Sequence, residues 1–509
     1  MKRSLALLFS LTLLLSLLSG CNMSDPIDEE PEYFDEETNE DEASRLLITD
    51  FSLPVYSGAT LDPILCSDGV QQTLSALLYE GLFALSPAFE AEPRLCESYT
   101  YDAEHYTYHF TLRGDVSFCD GSALTAKDVI SGFRRAEESK RYQARFRTVA
   151  AYYAKGTDTV VVSLNCDNAA FPALLDIPIV KAGTEQQTVP PGTGPYLYIA
   201  GSEGDYLLSN DSWWGGEVSL PQIPLVAVKD EDAASYRFSG SEIQLLAAEL
   251  SGESPVSTAG QVCITDAPGA TMQYLGFRDG GLFSSTALRK ALSLGIRRQE
   301  LTRGYLSGHA LAAEFPVSPA SPLYPTALAT GYNAAAFAAA MSELGYELTD
   351  EQKHTARLII PEGNDYKLSI AKSVAELLAP YGIIITVRAL PWADYLEALH
   401  KGAYDIYYAT VRLTPDWDLR PLIGTYGTLN YGHYANEETD ALLLGYLSHP
   451  CVTTMEQLSR KLQEDMPIVP LFFQSVSVLT QTQVLSSLTP TAVNPFYDMA
   501  QWELHLDAK

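Results

Sequence analysis

Tyr106–Glu138 reads YTYHFTLRGDVSFCDGSALTAKDVISGFRRAEE, and its alternation and punctuation point to one supersecondary unit. Tyr106, Tyr108, Phe110 and Leu112 alternate with Thr107, His109, Thr111 and Arg113, the period of a strand with one buried face. Gly114-Asp115 permits a reversal, Val116 to Phe118 forms a second short extended piece, and Asp120-Gly121 marks another turn. Thr125 stands three residues before Asp128, the spacing of an N-cap whose acid reaches back to free N–H groups. Behind it Ala126, Val129, Ile130 and Phe133 fall on one helical face. The unit is strand, turn and helix.

Toward the C-terminus the rhythm is α/β. Arg357–Ile360 reads as a strand, Tyr366–Leu378 as a helix, Gly382–Val387 as a buried strand, Trp392–His400 as a helix and Tyr404–Ala409 as a strand. That order implies right-handed crossovers and a largely parallel sheet, with ligands beyond the carboxyl ends of its strands. The segment following the last strand, Thr410–Arg420 (TVRLTPDWDLR), is therefore a candidate site. Toward the N-terminus, Arg45–Phe51 reads as a first strand and Val70–Phe83 as a helix. Between the two halves, Ser241–Leu250 reads as a helix flanked by extended pieces at Leu225–Val228 and Gln261–Thr265.

The chain opens with Lys2 and Arg3, an apolar run from Leu5 to Leu18 and Ser19-Gly20-Cys21, the parts of a secretory signal too short to span a bilayer. Leu18-Ser19-Gly20-Cys21 is similar to a bacterial lipobox, which makes Cys21 the expected lipidated first residue of the mature chain. Residues 21–44 are acidic, with no Lys or Arg between Asp25 and Glu42, and read as a disordered tether. A net charge of −31, from 33 Lys and Arg against 64 Asp and Glu, leaves no basic stripe for nucleic acid. Cys66, Cys96, Cys119, Cys166, Cys263 and Cys451 are scattered without a C-x-x-C pair, which suggests neither a zinc cluster nor a redox dithiol. Cys119 and Cys166 lie in apolar surroundings, and buried thiols compete with disulfides there.

LRGDVSFCDGSALTAKDV resembles a motif of the family 5 extracellular solute-binding proteins, receptors of ABC importers, with Cys119 standing where His is usual. Other stretches resemble family elements in family order: Leu77–Phe83 (LLYEGLF), Gly192–Tyr196 (GTGPY), Leu207–Gly216 (LLSNDSWWGG), Met272–Phe277, Thr286–Ile296, Asn430–Asp440 and Pro467–Phe473. The resemblance implies an α/β, two-lobed periplasmic-binding-protein-like fold of type II with an enlarged first lobe and the ligand cleft between lobes. Its expected divisions are residues 45–271 and 467–509 for lobe I, with an inserted subdomain at about 62–180, and 272–466 for lobe II. It further implies a monomeric receptor, lipid-anchored on the extracytoplasmic face of the membrane. Such a receptor captures peptide or another small solute for an ABC permease and its ATPases, with no cofactor.

Peptide-binding members of the family hold the ligand's ammonium with an aspartate, and Asp416 is the match by position, with Asp418 the alternative. A desolvated carboxylate facing an ammonium makes a strong charge-assisted hydrogen bond. Arg412 and Arg420 stand close in sequence, so an internal Asp–Arg pair competes with that role. If Arg412 neutralises Asp416, the ligand need not be a free-amino peptide. Trp417, Tyr431, Tyr434, Trp213 and Trp214 are expected to supply rigid apolar walls, although the Trp pair can equally pack beneath a loop. Glu80 is a candidate ligand contact or a helix-terminal acid. His433 has no local metal-ligating partner. Ser369-Ile-Ala-Lys372 fits S-x-x-K, but no K-T-G follows, and no H-E-x-x-H, G-x-S-x-G or Walker loop occurs. Capture rather than catalysis is the expectation, either of peptides or, on the same fold, of a metal chelate or sugar. A peptide-sensing surface lipoprotein is the remaining alternative.

Overall fold

In the computed structural model, residues 48–507 are described, apart from 67–68, 251–261, 349–353 and 483. The expected signal peptide, Cys21 and the acidic tether lie outside the described residues. Three sheets organise the rest.

The first sheet has the order Leu53–Tyr56, Gln222–Val228, Tyr206–Ser209, Tyr196–Ile199. Its first pair is parallel and the others antiparallel. Against it packs the helix Gly69–Leu78, whose Leu74, Leu77 and Leu78 are buried with Phe51, Leu53, Tyr196 and Trp502. The first strand thus begins at Leu53, later than expected, and Ile48–Ser52 are not strand. Ile48 instead meets the end of the chain, donating its N–H to Asp507 Oδ2 at 2.8 Å.

The second sheet belongs to the inserted region and is antiparallel: Cys96–Asp102, Thr107–Leu112, Thr159–Leu164, Val149–Lys155. Tyr108, Phe110 and Leu112 point into its core as the alternation requires, and Tyr106 turns into the strand with a φ of 51°. The helix Ala126–Glu138 covers that core with Val129, Ile130 and Phe133. Asp128 accepts from the N–H and hydroxyl of Thr125 at 2.9 and 2.5 Å, and its other oxygen accepts from Ala182 N–H at 2.9 Å. One buried carboxylate therefore starts the helix and pins the neighbouring loop to it. Cys119, expected in apolar surroundings, is exposed, because the turn at Asp120-Gly121 carries it out.

GTGPY has a packing reason. A Cβ on Gly192 would stand 2.1 Å from the carbonyl of Leu78, and one on Gly194 2.6 Å from that of Leu77. Only glycine lets this loop close over the C-terminal end of the first helix, where Gly194 N–H donates to Leu78 O at 3.0 Å. Cys119 N–H in turn donates to Gly192 O at 2.9 Å, which joins the opening motif to GTGPY.

The third sheet is the largest: Leu245–Ala248, Ile468–Gln481, Val262–Phe277, Ile406–Arg412, His354–Pro361, Ile383–Leu390, with Ala310–Ala312 added to the second of these. The last three strands are parallel, as the α/β rhythm demands. The sheet as a whole is mixed, because Val262–Phe277 runs antiparallel to both neighbours. Leu245–Ala248 corrects the expected helix at Ser241–Leu250. Its four residues pair with Ser477–Thr480, and the helix lies earlier, at Glu231–Ser239, capped by Asp230 accepting from Ala233 N–H at 2.8 Å. A short apolar run carries no period that separates strand from helix, and the pairing decided it. The two long antiparallel strands connect the first-sheet side, at Leu245–Ala248, with the α/β side, at Ile406–Arg412.

Candidate functional site

Asn210 builds the first wall of the site. Its side chain donates to Gly194 O at 3.1 Å and accepts from Ser212 N–H at 3.2 Å, and its carbonyl accepts from Trp213 N–H at 2.8 Å. The resulting turn aims both indoles at one carboxylate. Trp214 Nε1 donates to Glu80 Oε2 at 2.9 Å, Trp213 Nε1 approaches Oε1 at 3.4 Å, and Thr193 Oγ1 donates to Oε2 at 3.1 Å. Burial raises the Glu80 carboxyl above the ordinary carboxylate range, against the pull of these donors. The guanidinium of Arg113 lies 4.2 Å over the Trp214 ring and holds it from the other side.

Glu80, Trp213 and Trp214 border a cavity of about 350 Å³. Its floor is the end of the first helix around Gln72–Gly81, and the C-terminal segment Thr491–Ala500 closes one side. The opposite end is cationic, with Arg141 and Arg145 from the inserted region and Arg412 from the end of the strand Ile406–Arg412. Arg145 donates to Leu174 O at 3.1 Å and to Asp176 Oδ2 at 3.1 Å. Burial pulls its guanidinium down to about 10. Arg412 is depressed as well, by burial first and then by Arg141, although more than a third of its surface stays open to the cavity.

The predicted ligand aspartate lies elsewhere. Asp416 is 2% exposed, does not line this cavity, and accepts from Asn168 Nδ2 at 2.9 Å and from Asp418 N–H at 3.3 Å. Burial, with Asp418 adding to it, raises its carboxyl. No ion pair joins it to Arg412 among the described residues. The internal Asp–Arg pair forms two positions on, where Arg420 grips Asp418 through Nε and Nη2, each at 2.8 Å. Arg420 Nη1 also reaches Cys166 Sγ at 3.1 Å, and Ala169 N–H donates to Leu447 O at 2.8 Å. Residues 166–169 of the inserted region thus dock on the Asp416 loop. Trp417 is buried between Phe89 and Phe473, edge-on to both, with a φ of 53°.

Tyr431 packs edge-on against Tyr407 and His400, and Tyr434 hydrogen-bonds Asp465 and Thr439. Neither borders the cavity. Of the expected walls, the structure brings Trp213 and Trp214 together with Glu80. Of the cavity's four arginines, Arg94, Arg141, Arg145 and Arg412, only Arg412 was singled out in the sequence, as a partner for Asp416. Lys372 is exposed, and no group of metal-ligating side chains forms among the described residues.

The model of the bacterial extracellular solute-binding proteins, family 5, matches residues 90–430. The chain belongs to that family. Its members are solute-binding proteins and not enzymes. Protein XP55 of Streptomyces lividans is 26% identical, over 75% of this chain and 75% of its own length. The oligopeptide-binding protein AppA of Bacillus subtilis is 22% identical, over 80% of this chain and 82% of its own. The structure of AppA in complex with a nonapeptide superposes with a TM-score of 0.61 at 20% identity, covering 90% of this chain and 100% of that one. That of the ABC transporter substrate-binding protein CtaP from Listeria monocytogenes gives 0.70 at 20% identity, covering 90% and 99%. The fold is the two-lobed periplasmic-binding-protein fold of type II. No described helix is long and apolar enough to cross a membrane.

Proposed function

We propose that this family 5 protein is the lipid-anchored, extracytoplasmic receptor of an ABC importer, and that it captures peptides in the cavity between the Trp213–Trp214 wall and Arg412. The observation that carries this reading is the cavity itself. At about 350 Å³ it falls in the range of small-ligand sites, and its walls come from segments far apart in sequence. Two indoles fixed on one carboxylate give an apolar surface of little residual freedom, which accepts varied side chains at low entropic cost. The oligopeptide-binding relative AppA supports the peptide class.

In this reading lobe I comprises residues 45–271 and 467–509, with an insert at about 62–180, and lobe II comprises 272–466. Ligand favours the closed arrangement of the lobes only through its differential affinity for that arrangement. The closed monomer then docks on a membrane permease driven by separate ATPases. Lipid on Cys21 keeps it at the membrane, and the acidic residues 21–44 act as a spacer repelled by anionic headgroups. The burial of Asp416 favours a second reading, a non-peptide solute in the same cleft.

Native mass spectrometry of the purified protein separates the two. A spread of co-purifying peptide masses is the expected result, and a single non-peptide mass would replace peptide with that solute. In the same preparation Cys21→Ala should move the protein from the membrane to the soluble fraction. Retention on the membrane would reject the lipid anchor.

A further inference from the structure

We infer that the cationic end of the cavity is a carboxylate-binding subsite formed by Arg141 and Arg412, so that the captured solute is recognised through its negative charge. This rests on the peptide-receptor reading of the cavity and names what that cavity selects.

Arg141 and Arg412 both border the cavity and the open groove beside it, so they stand at its mouth. Neither has a carboxylate within ion-pair distance among the described residues, whereas their neighbour Arg145 is paired with Asp176 and Arg135 with Asp62. The same mouth carries Lys140 and Arg135 against one acid, Glu138. This crowding of cations runs against the composition of a chain with 64 acidic and 33 basic residues. Arg141 and Arg412 oppose each other's charge, Glu249 offsets this at Arg412 only in part and from beyond ion-pair distance, and an anion bound between the two guanidiniums relieves what remains. Tyr142 orients the group, with the guanidiniums of Arg141 and Arg145 at 5.2 and 5.4 Å from its ring. A planar guanidinium offers paired N–H donors that match a carboxylate in two parallel bonds. The other end of the cavity carries Glu80, Glu217 and Asp498 together with Arg94, so its charge is mixed where the Arg141–Arg412 end is cationic.

The test uses the full chain, a random tetrapeptide library with free carboxylates, and the same library with every carboxylate converted to amide. Affinity is read by calorimetry and thermal shift. The acid library should bind the unmodified protein about tenfold more tightly or better, the worth of a charge-assisted pair. Arg412→Gln and Arg141→Gln should each bring it down to the level of the amide library. Ligand-free melting temperatures of both variants should stay level or rise, since like-charge crowding is relieved; a marked fall would make these arginines structural and overturn the subsite. Equal binding of both libraries by the unmodified protein also overturns it while leaving the peptide reading intact. If neither library binds, the peptide reading fails, and citrate and tricarballylate decide the subsite. Stabilisation by them that both variants lose sustains it, and absence of stabilisation overturns it.

Discussion

At the scale of single residues, position in sequence and position in space disagree most at Asp416. The sequence places an aspartate where the family anchors an ammonium group, yet the carboxylate here is covered, and the amide of Asn168 occupies its hydrogen-bonding side. Asp416→Asn should therefore change the affinity of a free-amino tripeptide by less than about twofold, whereas an ammonium anchor would lose at least about tenfold. Calorimetric titration distinguishes the two. Glu80 makes a separate prediction through pH. Its folded carboxyl holds a proton more tightly than the unfolded one. Its favourable contribution is thus whole below the unfolded value of about 4.3 and is lost as pH rises through the raised folded value. Glu80→Gln, which keeps an oxygen for the indole donors, should gain stability relative to the parent as pH rises from about 4 through that raised folded value. Melting curves across that range check it, and a pH-independent difference would reject it. Arg141 and Arg145 were hard to read because Ser139–Arg145 (SKRYQAR) looks like any charged helix end. Only the fold brings it opposite Arg412.

At the scale of elements, most of the chain was legible. Alternation located Thr107–Leu112, the Thr125–Asp128 spacing located the helix after it, and the period of the second half located its parallel strands and covering helices. What failed was a four-residue strand, Leu245–Ala248, and the start of the first strand, both settled by partners more than a hundred residues away. The Asp128 network shows how much an element can depend on one side chain. Asp128→Ala removes an N-cap acceptor together with the bond to Ala182, and should cost about 2 kcal/mol of stability. Urea unfolding should show a lower midpoint with an unchanged slope. A midpoint equal to the parent's would mean that the capping box contributes nothing.

At the scale of the whole molecule, the long strands Val262–Phe277 and Ile468–Gln481 join the first-sheet side to the α/β side, and their pairing is broken where the two meet. The register shifts between Pro268 and Thr271, and a Cβ on Gly269 would stand 2.2 Å from the carbonyl of Gln474. A bulge interrupts the ladder and lets a strand bend at one point, so this is where lobe closure should concentrate its change in backbone angles. Gly269→Ala forces the two backbones apart at that point. It should destabilise the protein by about 2 kcal/mol or more and alter how far the lobes approach when ligand binds. Small-angle scattering with and without the free-acid tetrapeptide library measures the second effect as a change in radius of gyration. The parent should contract on binding and the variant contract less. An equal contraction in both would move the hinge away from the bulge, and the strands Ile468–Gln481 and Val262–Phe277 would then act as a rigid bridge.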